Sequence, residues 1–332
     1  IRQAFADWLA GEKIPVIHEH RVQRVEKDGT AIARLVLELA PPDRHGVPAP
    51  DAIKADAAIV EARFFIDASY EGDLMAAAGA SHAVGREAAA EFDEELAGVG
   101  PPTNWTPIDP YVIPGDPTSG LLRWVEADHG LPKGAADEYT QAYNYRYYVT
   151  RDPAKRAPFG KPDGYDPRDF ELVGRYVEHL TATIRDDPAR LMKRLRDIFP
   201  GWLNSGDYNY QRDSLVTMAP LGLSRFYQDG DWKTRSRVWR QHQDYLSGLH
   251  HFLSTDPRVP EAFRRETAEI GLDRTMHADT EGWPNQLYVR IARRMRGPYT
   301  LTLDDVWNRR QAGDGVGLAL YGVDPYPVRR VV

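Results

Sequence analysis

The sequence has no cysteine among its 332 residues, which excludes disulfides, thiolate zinc sites, iron–sulfur clusters and cysteine nucleophiles within this chain. It has no apolar run approaching the ~18 residues that a membrane-spanning helix requires. It also has no excess of basic residues, since its formal net charge at pH 7 is −7. Because phosphate contacts need a cationic surface, we expect neither a nucleic-acid partner nor a membrane partner.

Several motifs that would identify an enzyme class directly are missing too. There is no P-loop, no G-x-S-x-G and no H-E-x-x-H. A G-x-G-x-x-G fingerprint is absent, because Leu320 stands where a glycine should follow Gly315 and Gly317. What remains is an ordinary globular composition, 42% hydrophobic and 27% charged, in a chain long enough for about two domains.

Both ends of the chain have the pattern of interrupted elements. Residues 4–9 resemble the last turns of a helix with Gly11 as its C-cap, and residues 328–332 form a strand-like run with no evident partner. We therefore expect the chain to be an excerpt of a longer protein. No targeting segment is visible, so the location stays open, with the cytoplasm as the default expectation.

The first 85 residues alternate between short β-rich runs and turns. Asp28-Gly29 between two such runs predicts a hairpin. The continuous apolar run at residues 64–66 predicts a strand buried on both faces, as in a parallel sheet. A polar turn over 67–73 and a helix over 74–78, ending at Gly79, follow this strand.

From residue 86 onwards the pattern changes to loops and then helices. Residues 97–120 are dense in proline and glycine and predict a loop. Asp166-Pro167 and Asp187-Pro188 each predict an N-cap followed by proline in the first helical turn. Apolar residues at helical spacing predict a long helix over 232–253 and another from residue 260 to about 271.

The acidic turn between the strand and the helix is the most informative local feature. Backbone N–H groups and the helix dipole at such a point can hold a phosphate, and Gly72 would let a nucleotide approach the backbone closely. The alternative is that Asp67 and Asp73 only cap the turn. The residues by themselves leave both interpretations open.

Two further groups are candidate ligand contacts. Arg290, Arg293 and Arg294 are spaced i, i+3 and i+4, so in a helix they would share a face able to bind a carboxylate or phosphate. The alternative is a solvated cationic face paired with acidic residues. Asn144 and Arg146 lie in an aromatic stretch, for which the alternative is a two-faced sheet strand.

The histidine pairs are interpreted as structural. His18 and His20 lie two apart on an expected strand, where a solvent-facing position is the simpler explanation. His250 and His251 are adjacent on an expected helix, so their rings point about 100° apart and cannot easily share an ion. We predict no metal site.

The string FFIDASYEGDL at residues 64–74 resembles the FAD-dependent oxidoreductase family, flavoproteins of the glutathione-reductase-like superfamily grouped loosely with heterodisulfide-reductase-A-like proteins. Stretches at 141–146, 241–259 and 283–297, the last followed by Leu301-Thr302, resemble the same family in the same order. The resemblance implies FAD as cofactor. It implies an α/β fold, α+β within this excerpt. Because the family's G-x-G-x-x-G would precede residue 1, we expect an internal fragment that is inactive alone.

The resemblance also implies an architecture and a set of site residues. Residues 1–85 would be the latter part of a Rossmann-like FAD domain with its β-meander, 86–300 a helix-rich inserted substrate or cap domain, and 301–332 a segment returning to the FAD domain. The implied cofactor-binding residues are Val22, Asp67, Ala68, Ser69, Glu71, Gly72 and Asp73. The implied substrate contacts are Asn144, Arg146, Arg290 and Arg293. No proton-transfer residue is assigned.

The function implied is that of a flavin oxidoreductase, or part of one, that transfers a hydride between FAD and a small organic substrate. The residues themselves suggest an alternative, a carbohydrate-binding or glycoside-cleaving protein. Eight Trp and 17 Tyr supply stacking surface, and Asp207, Asp213 and Asp231 could pair across a cleft. The substrate, the electron acceptor and the oligomeric state stay open.

Overall fold

The computed structural model of the chain describes residues 2–100, 108–204, 207–209, 214–310, 313–315, 317, 322–323 and 326–330. The helices are α1 Arg2–Gly11, α2 Asp73–Ala77, α3 Ala89–Phe92, α4 Glu171–Thr183, α5 Pro188–Ile198, α6 Trp232–Thr255, α7 Glu261–Ala268 and α8 Leu303–Val306. The strands are β1 His20–Asp28, β2 Ala31–Leu39, β3 Lys54–Glu61, β4 His82–Ala83, β5 Tyr147–Thr150, β6 Arg156–Ala157, β7 Trp202–Asn204, β8 Asp207–Asn209, β9 Gly271–Asp273 and β10 Arg294–Met295.

The N-terminal strands form an antiparallel three-stranded meander in the order β1-β2-β3. The hairpin expected at Asp28-Gly29 is confirmed, with Gly29 at φ +59° and Asp28 paired with Ala31. The middle strand β2 buries Val36, which is 1% exposed. The helix expected after the acidic turn is also confirmed as α2, and Lys27 Nζ donates to the Ala78 carbonyl at 2.8 Å. The meander and α2 are therefore held side by side.

The prediction for residues 64–66 is wrong. The strand β3 ends at Glu61, and its sheet partner is the antiparallel strand β2. Residues 64–66 follow outside any strand, with Phe64 and Ile66 each 86% exposed. A continuous apolar run indicates that its side chains favour burial, but it does not specify which strand or helix covers them. Among the described residues, no strand pairs in parallel with β3 or with residues 64–66.

The helix-rich part contains a second antiparallel sheet, in the strand order β6-β9-β5-β8-β7. The two predicted caps are confirmed, because Asp166 caps a 3-10 turn, Pro167–Phe170, that leads directly into α4, and Asp187 caps α5. The carboxylates of Asp166 and Asp187 accept hydrogen bonds from the Arg168 and Arg190 amides, each at 2.9 Å. The long helix is confirmed as α6 and the following one as α7. These short-range signals were sufficient because a cap and its amide lie within three residues of each other.

The main hydrophobic core lies in the helix-rich part and is dominated by aromatic side chains around α6. Val47, from the loop after β2, also belongs to this core, and Gln243 Nε2 donates to the His45 carbonyl at 3.0 Å. The loop that joins β2 to β3 therefore packs against α6, and the expected boundaries at residues 85 and 300 stay a prediction. Within the described ranges, no helix is both long enough and apolar enough to cross a bilayer.

The C-terminal residues 326–330 have backbone partners, contrary to the expectation of an unpaired run. The Ala142 amide donates to the Pro327 carbonyl at 2.9 Å, and the Glu126 amide donates to the Arg330 carbonyl at 2.8 Å. Arg330 is 1% exposed. These partners are loop residues far away in sequence, so no local pattern could have indicated them.

We expect Gly248→Ala to lower the free energy of unfolding by about 1–3 kcal/mol, the usual cost of overpacking a core. A Cβ atom at Gly248, in the middle of α6, would lie 2.5 Å from the buried Phe170 ring. Denaturant unfolding measures this change. Gly164→Ala is the matched control, because a Cβ there meets nothing within 4 Å. Equal stability of the two variants would contradict the packing argument.

Candidate functional site

The acidic turn at residues 67–73 is organised by Asp67. One carboxylate oxygen accepts from the Ser69 hydroxyl at 2.7 Å, and the other accepts from the Met75 amide at 2.9 Å in the first turn of α2. Partial burial alone would raise the pKa of Asp67, but the hydrogen bonds from Ser69, Met75 and Leu74 outweigh it, so the pKa is lowered. Asp67 is therefore a charged anchor that shapes the turn.

Gly72 is required by the backbone of the turn. It has φ +66°, and its amide donates to the Ser69 hydroxyl at 3.0 Å. A Cβ at this position would lie 2.7 Å from the Met75 methyl and 3.6 Å from Arg293 Cβ. The positive φ is therefore what calls for glycine here, because the Arg293 contact is an ordinary one and the Met75 methyl can move aside.

Asp73 connects the turn to the helix-rich part. Its two carboxylate oxygens each accept from Arg235 Nη1 at 2.8 Å, and one of them also accepts from Arg293 Nη1 at 2.7 Å. The Arg235 side chain is 2% exposed and the Arg293 side chain 9%. We call Asp73, Arg235 and Arg293 the latch. It is an ion-pair cluster in which one carboxylate serves two nearly buried guanidinium groups.

Other side chains surround the latch. Arg293 Nε donates to Asp229 at 2.7 Å, and this bond lowers the pKa of Asp229. The Tyr227 hydroxyl donates to Glu71 at 3.0 Å, and Trp239 Nε1 donates to the Tyr227 oxygen at 3.2 Å. Glu71 is therefore also held by the helix-rich part, through a chain of hydrogen bonds that ends on α6.

The remaining cofactor candidates lie at the periphery of this arrangement. Ala68 and Ser69 are exposed, on the outer side of the turn. Val22 is half-buried in β1, opposite Leu37 of β2. The strand β1 is joined to the end of α2 by Lys27. Of the seven candidates, Glu71, Gly72 and Asp73 thus meet the helix-rich part, and Ala68 and Ser69 face solvent.

The arginine segment is not a helix, so the expectation of one shared arginine face is wrong. Backbone hydrogen bonds tie Tyr288 to Asn144 and Arg294 to Ala83 in strand-like pairings. The side chains consequently separate. Arg293 joins the latch, whereas Arg294 pairs with Glu87 at 2.6 Å. The alternative was a solvated cationic face paired with acidic residues. Its pairing describes Arg293 and Arg294, but Arg293 is not solvated, because its side chain is 9% exposed.

Three of the four substrate candidates come together around one aromatic ring. Arg290 donates to the Asn144 side-chain oxygen at 3.0 Å, and its guanidinium carbon lies 4.7 Å from the Tyr288 ring centroid. The Arg146 guanidinium lies 5.5 Å from the same ring. Tyr326 covers another side of Arg290. We call Asn144, Arg146, Tyr288, Arg290 and Tyr326 the arginine–tyrosine cluster.

Arg235, the most buried member of the latch, was not among the residues predicted from the sequence. A signal was present, because position 235 precedes Val238 and Trp239 by three and four residues on the apolar stripe of α6. A charged residue on such a stripe indicates a buried ion pair. The acidic partner of Arg235 could not be predicted from the sequence, since Asp73 lies 162 positions away in the chain.

Neither a metal centre nor the glycosidase alternative gains support. In the part of the chain that the structure describes, no three His, Asp or Glu side chains are grouped to hold a metal ion. Asp231 is the N-cap of α6, accepting from the Thr234 amide at 2.8 Å. Asp213 and the side chain of Asp207 lie outside the described residues. Among the described residues, none of these three aspartates is therefore shown to face another across a cleft.

The fit of the turn to FAD is partial. A pyrophosphate would need the free amides at the start of α2, but the Asp67 carboxylate already accepts from the Met75 amide there. The turn therefore does not form a phosphate cradle. Its outer edge, with exposed Ile66, Ala68 and Tyr70, offers instead the apolar surface against which an adenine or ribose could pack. FAD, when bound, supplies the redox chemistry.

Comparisons with known proteins agree with the resemblance noted above. The family model for FAD-dependent oxidoreductases matches residues 1–331, almost the whole chain. Searches of curated proteins and of solved structures gave no match. Proteins of this family are flavoproteins that use FAD, and their activity is flavin-linked redox chemistry on small molecules. The chain belongs to the FAD-dependent oxidoreductase family.

Proposed function

We propose that this protein transfers a hydride between FAD and a small organic substrate, and that it belongs with the glutathione-reductase-like, heterodisulfide-reductase-A-like flavoproteins. Residues 1–85 would be part of a Rossmann-like FAD domain, 86–300 a substrate or cap domain, and 301–332 the segment that returns to the FAD domain. The protein's own task is to orient the two reactants and tune their electrostatics. The substrate binds through charge and aromatic contacts.

On the cofactor side, we assign the adenosine end of FAD to the outer edge of the turn and to Val22. Ala68 and Ser69 are exposed there, and Gly72 and Asp73 hold the edge in position from behind. Asp67 acts through the turn, because its hydrogen bonds to Ser69 and Met75 determine its shape. Asp67, Glu71 and Asp73 are thus positioning residues in this proposal.

On the substrate side, we assign binding to the arginine–tyrosine cluster. Arg290 and Arg146 supply positive charge beside the Tyr288 ring, which suits an acidic or polar substrate with a flat body. Asn144 orients Arg290 by accepting its hydrogen bond. Arg293 has a different task, since its guanidinium is held by Asp73 and Asp229.

One observation carries the proposal. Arg290 belongs to the arginine–tyrosine cluster and Arg293 to the latch, and only three residues separate them. Three residues span at most about 11 Å between their Cα atoms. The turn, through Asp73 and Arg293, and the arginine–tyrosine cluster, through Arg290, are therefore neighbouring parts of one junction.

The proposal is tested on the complete gene product by FAD titration, followed by anaerobic reduction of the bound flavin. We expect Ala68→Trp to weaken FAD binding at least about tenfold, because the added ring occupies the edge assigned to the adenosine. Ala55→Trp, at another exposed alanine, is the matched control. Arg290→Gln should leave FAD binding unchanged but slow flavin reduction by a panel of hydroxy acids, amines and alcohols. Arg237→Gln, at an exposed arginine, controls for the charge removed.

Two results would contradict the proposal. If Ala68→Trp bound FAD as tightly as the unchanged protein, the cofactor would not lie on the turn. If Arg290→Gln and Arg237→Gln reduced the flavin at equal rates, the arginine–tyrosine cluster would not be the substrate site.

A further inference from the structure

A separate cavity of about 490 Å³ opens between α5, the end of α7 and the strands β5 and β8. Its walls are mainly apolar, from Val149, Pro200, Tyr208 and Ile270. None of the cofactor or substrate candidates lines it. The volume is in the range of cavities that hold small organic molecules, roughly 300–1,000 Å³.

Among the described residues that line this cavity, cations outnumber carboxylates. Arg151, Lys193 and Arg196 line it together with the carboxylates of Glu266 and Asp197. Glu266 is shared, because it accepts two hydrogen bonds from Arg196, at 2.7 and 2.8 Å, and lies 3.5 Å from Arg151. Its pKa is lowered, chiefly by the Arg196 hydrogen bond, so it is ionised at neutral pH.

The second carboxylate does not offset the remaining charge. Asp197 pairs with Arg194 at 3.1 Å, a residue that does not line the cavity. Lys193 lies one helical turn before Arg196 and Asp197 on α5, and it is exposed, with no carboxylate of the described residues within ion-pair distance. Lys193, an exposed lysine that lines an apolar cavity, is therefore available to an anion from solution.

We propose that this cavity binds an amphipathic carboxylate, an acid whose aromatic or aliphatic body lies against Val149, Pro200 and Ile270 and whose carboxylate pairs with Lys193. The apolar walls favour an organic body, because burying it removes apolar surface from water. The excess of positive charge selects an acid over the corresponding neutral molecule. The site is independent of the proposed flavin function, since it shares no residue with the junction of turn and arginine–tyrosine cluster.

The test is calorimetric titration of the FAD-loaded protein with 4-phenylbutyrate and octanoate, each compared with its neutral amide. We expect saturable binding of the acids and at least tenfold weaker binding of the amides. Lys193→Gln should weaken acid binding about tenfold, which corresponds to about 1.4 kcal/mol. Glu266→Gln should have the opposite effect and strengthen it, because Arg196 and Arg151 lose their competing carboxylate. The opposite signs separate a charge effect from general damage to the fold.

Lys133→Gln is the matched control, since Lys133 is exposed and lies outside the cavity. It should bind both acids as the unchanged protein does. Three outcomes would each overturn the proposal: no saturable binding of either acid, equal affinity for acid and amide, or equal affinity of Lys193→Gln and Lys133→Gln. Binding of inorganic phosphate as tight as that of octanoate would also overturn it, because the apolar walls would then contribute nothing. None of these results depends on flavin reduction, so they leave the proposed redox function untouched.

Discussion

Lowering the pH from 7.5 to 5.0 is expected to reduce the free energy of unfolding by about 2–4 kcal/mol, because two buried histidines must stay uncharged in the fold. Burial lowers the pKa of His242, which is 1% exposed, to about 4. Burial likewise lowers the pKa of His250 to about 4. His250 keeps part of its ring accessible, so we expect its share of the effect to be the smaller one.

The hydrogen bonds of both rings fit the neutral form. The His242 Nδ1 atom donates to the Val238 carbonyl at 2.7 Å, and its buried Nε2 atom has no hydrogen-bond partner among the described residues. The His250 Nε2 atom donates to the carbonyls of Thr267 and Ile270 at 3.0 and 3.1 Å. A second proton on either ring would be a buried charge with no carboxylate beside it among the described contacts, which is costly.

The direction follows from proton binding in the two states. In the unfolded chain a histidine has a pKa of about 6.5, so between pH 6.5 and about 4 the unfolded state binds more protons than the folded state. Stability therefore falls as the pH falls through this window, by up to about 1.4 kcal/mol per pH unit for each histidine. Asp169 acts in the opposite sense. Partial burial raises its pKa, so protonation of this carboxyl at low pH stabilises the fold.

Substitution of the histidines isolates their part. His242→Asn keeps a donor for Val238, and His250→Gln keeps one for Thr267 and Ile270. The double variant should lose most of the stability difference between pH 7.5 and 5.0 in urea unfolding, even if it is less stable at both. His18→Asn, at an exposed histidine, should leave the difference unchanged. A double variant with the full original pH dependence would show that other groups cause it.

Asp73→Asn is expected to lower the free energy of unfolding by about 3 kcal/mol. Removing one partner of a buried ion pair costs roughly 3–5 kcal/mol, because the other charge is left without compensation. The side chain of Asp73 is 31% exposed, so solvent softens the loss, but Arg235 beneath it is 2% exposed. An asparagine offers a single accepting oxygen there and cannot neutralise two guanidinium groups. Without this ion pair the turn at residues 67–73 should be held less firmly against the helix-rich part, and FAD binding should weaken.

Asp229→Asn is the control for this prediction. Asp229 pairs with the same Arg293 at 2.7 Å, but its side chain is 60% exposed. Surface ion pairs contribute about 0–1 kcal/mol, so this variant should remain near the stability of the unchanged protein. A double-mutant cycle with Asp73→Asn and Arg235→Met measures the coupling directly. Additive effects in that cycle would contradict the latch as an energetic unit.

Local patterns predicted much of the fold. The hairpin at Gly29, the caps Asp166 and Asp187, and the long helix α6 were all readable, since each depends on residues within a few positions of one another. The order of the family stretches indicated FAD and redox chemistry, which the family match over residues 1–331 confirms. The assignment of individual cofactor and substrate residues stays a prediction.

Other features depended on contacts between distant parts of the chain. Periodicity predicted a shared arginine face, but the backbone pairing of Asn144 with Tyr288 keeps that segment extended and sends Arg290 and Arg293 to different partners. Nothing in the sequence around Asp73 indicates which arginines pair with it, because Arg235 and Arg293 lie 162 and 220 positions away.

The local elements, the apolar content of the core and the flavoprotein family thus followed from neighbouring residues and from composition. The exposure of residues 64–66 and the pairing of Asp73 with Arg235 and Arg293 became known from the folded chain alone. The same is true of the position of Lys193 at an apolar cavity. Burial and charge pairing are properties of the assembled fold, since they depend on which distant surfaces meet and exclude water.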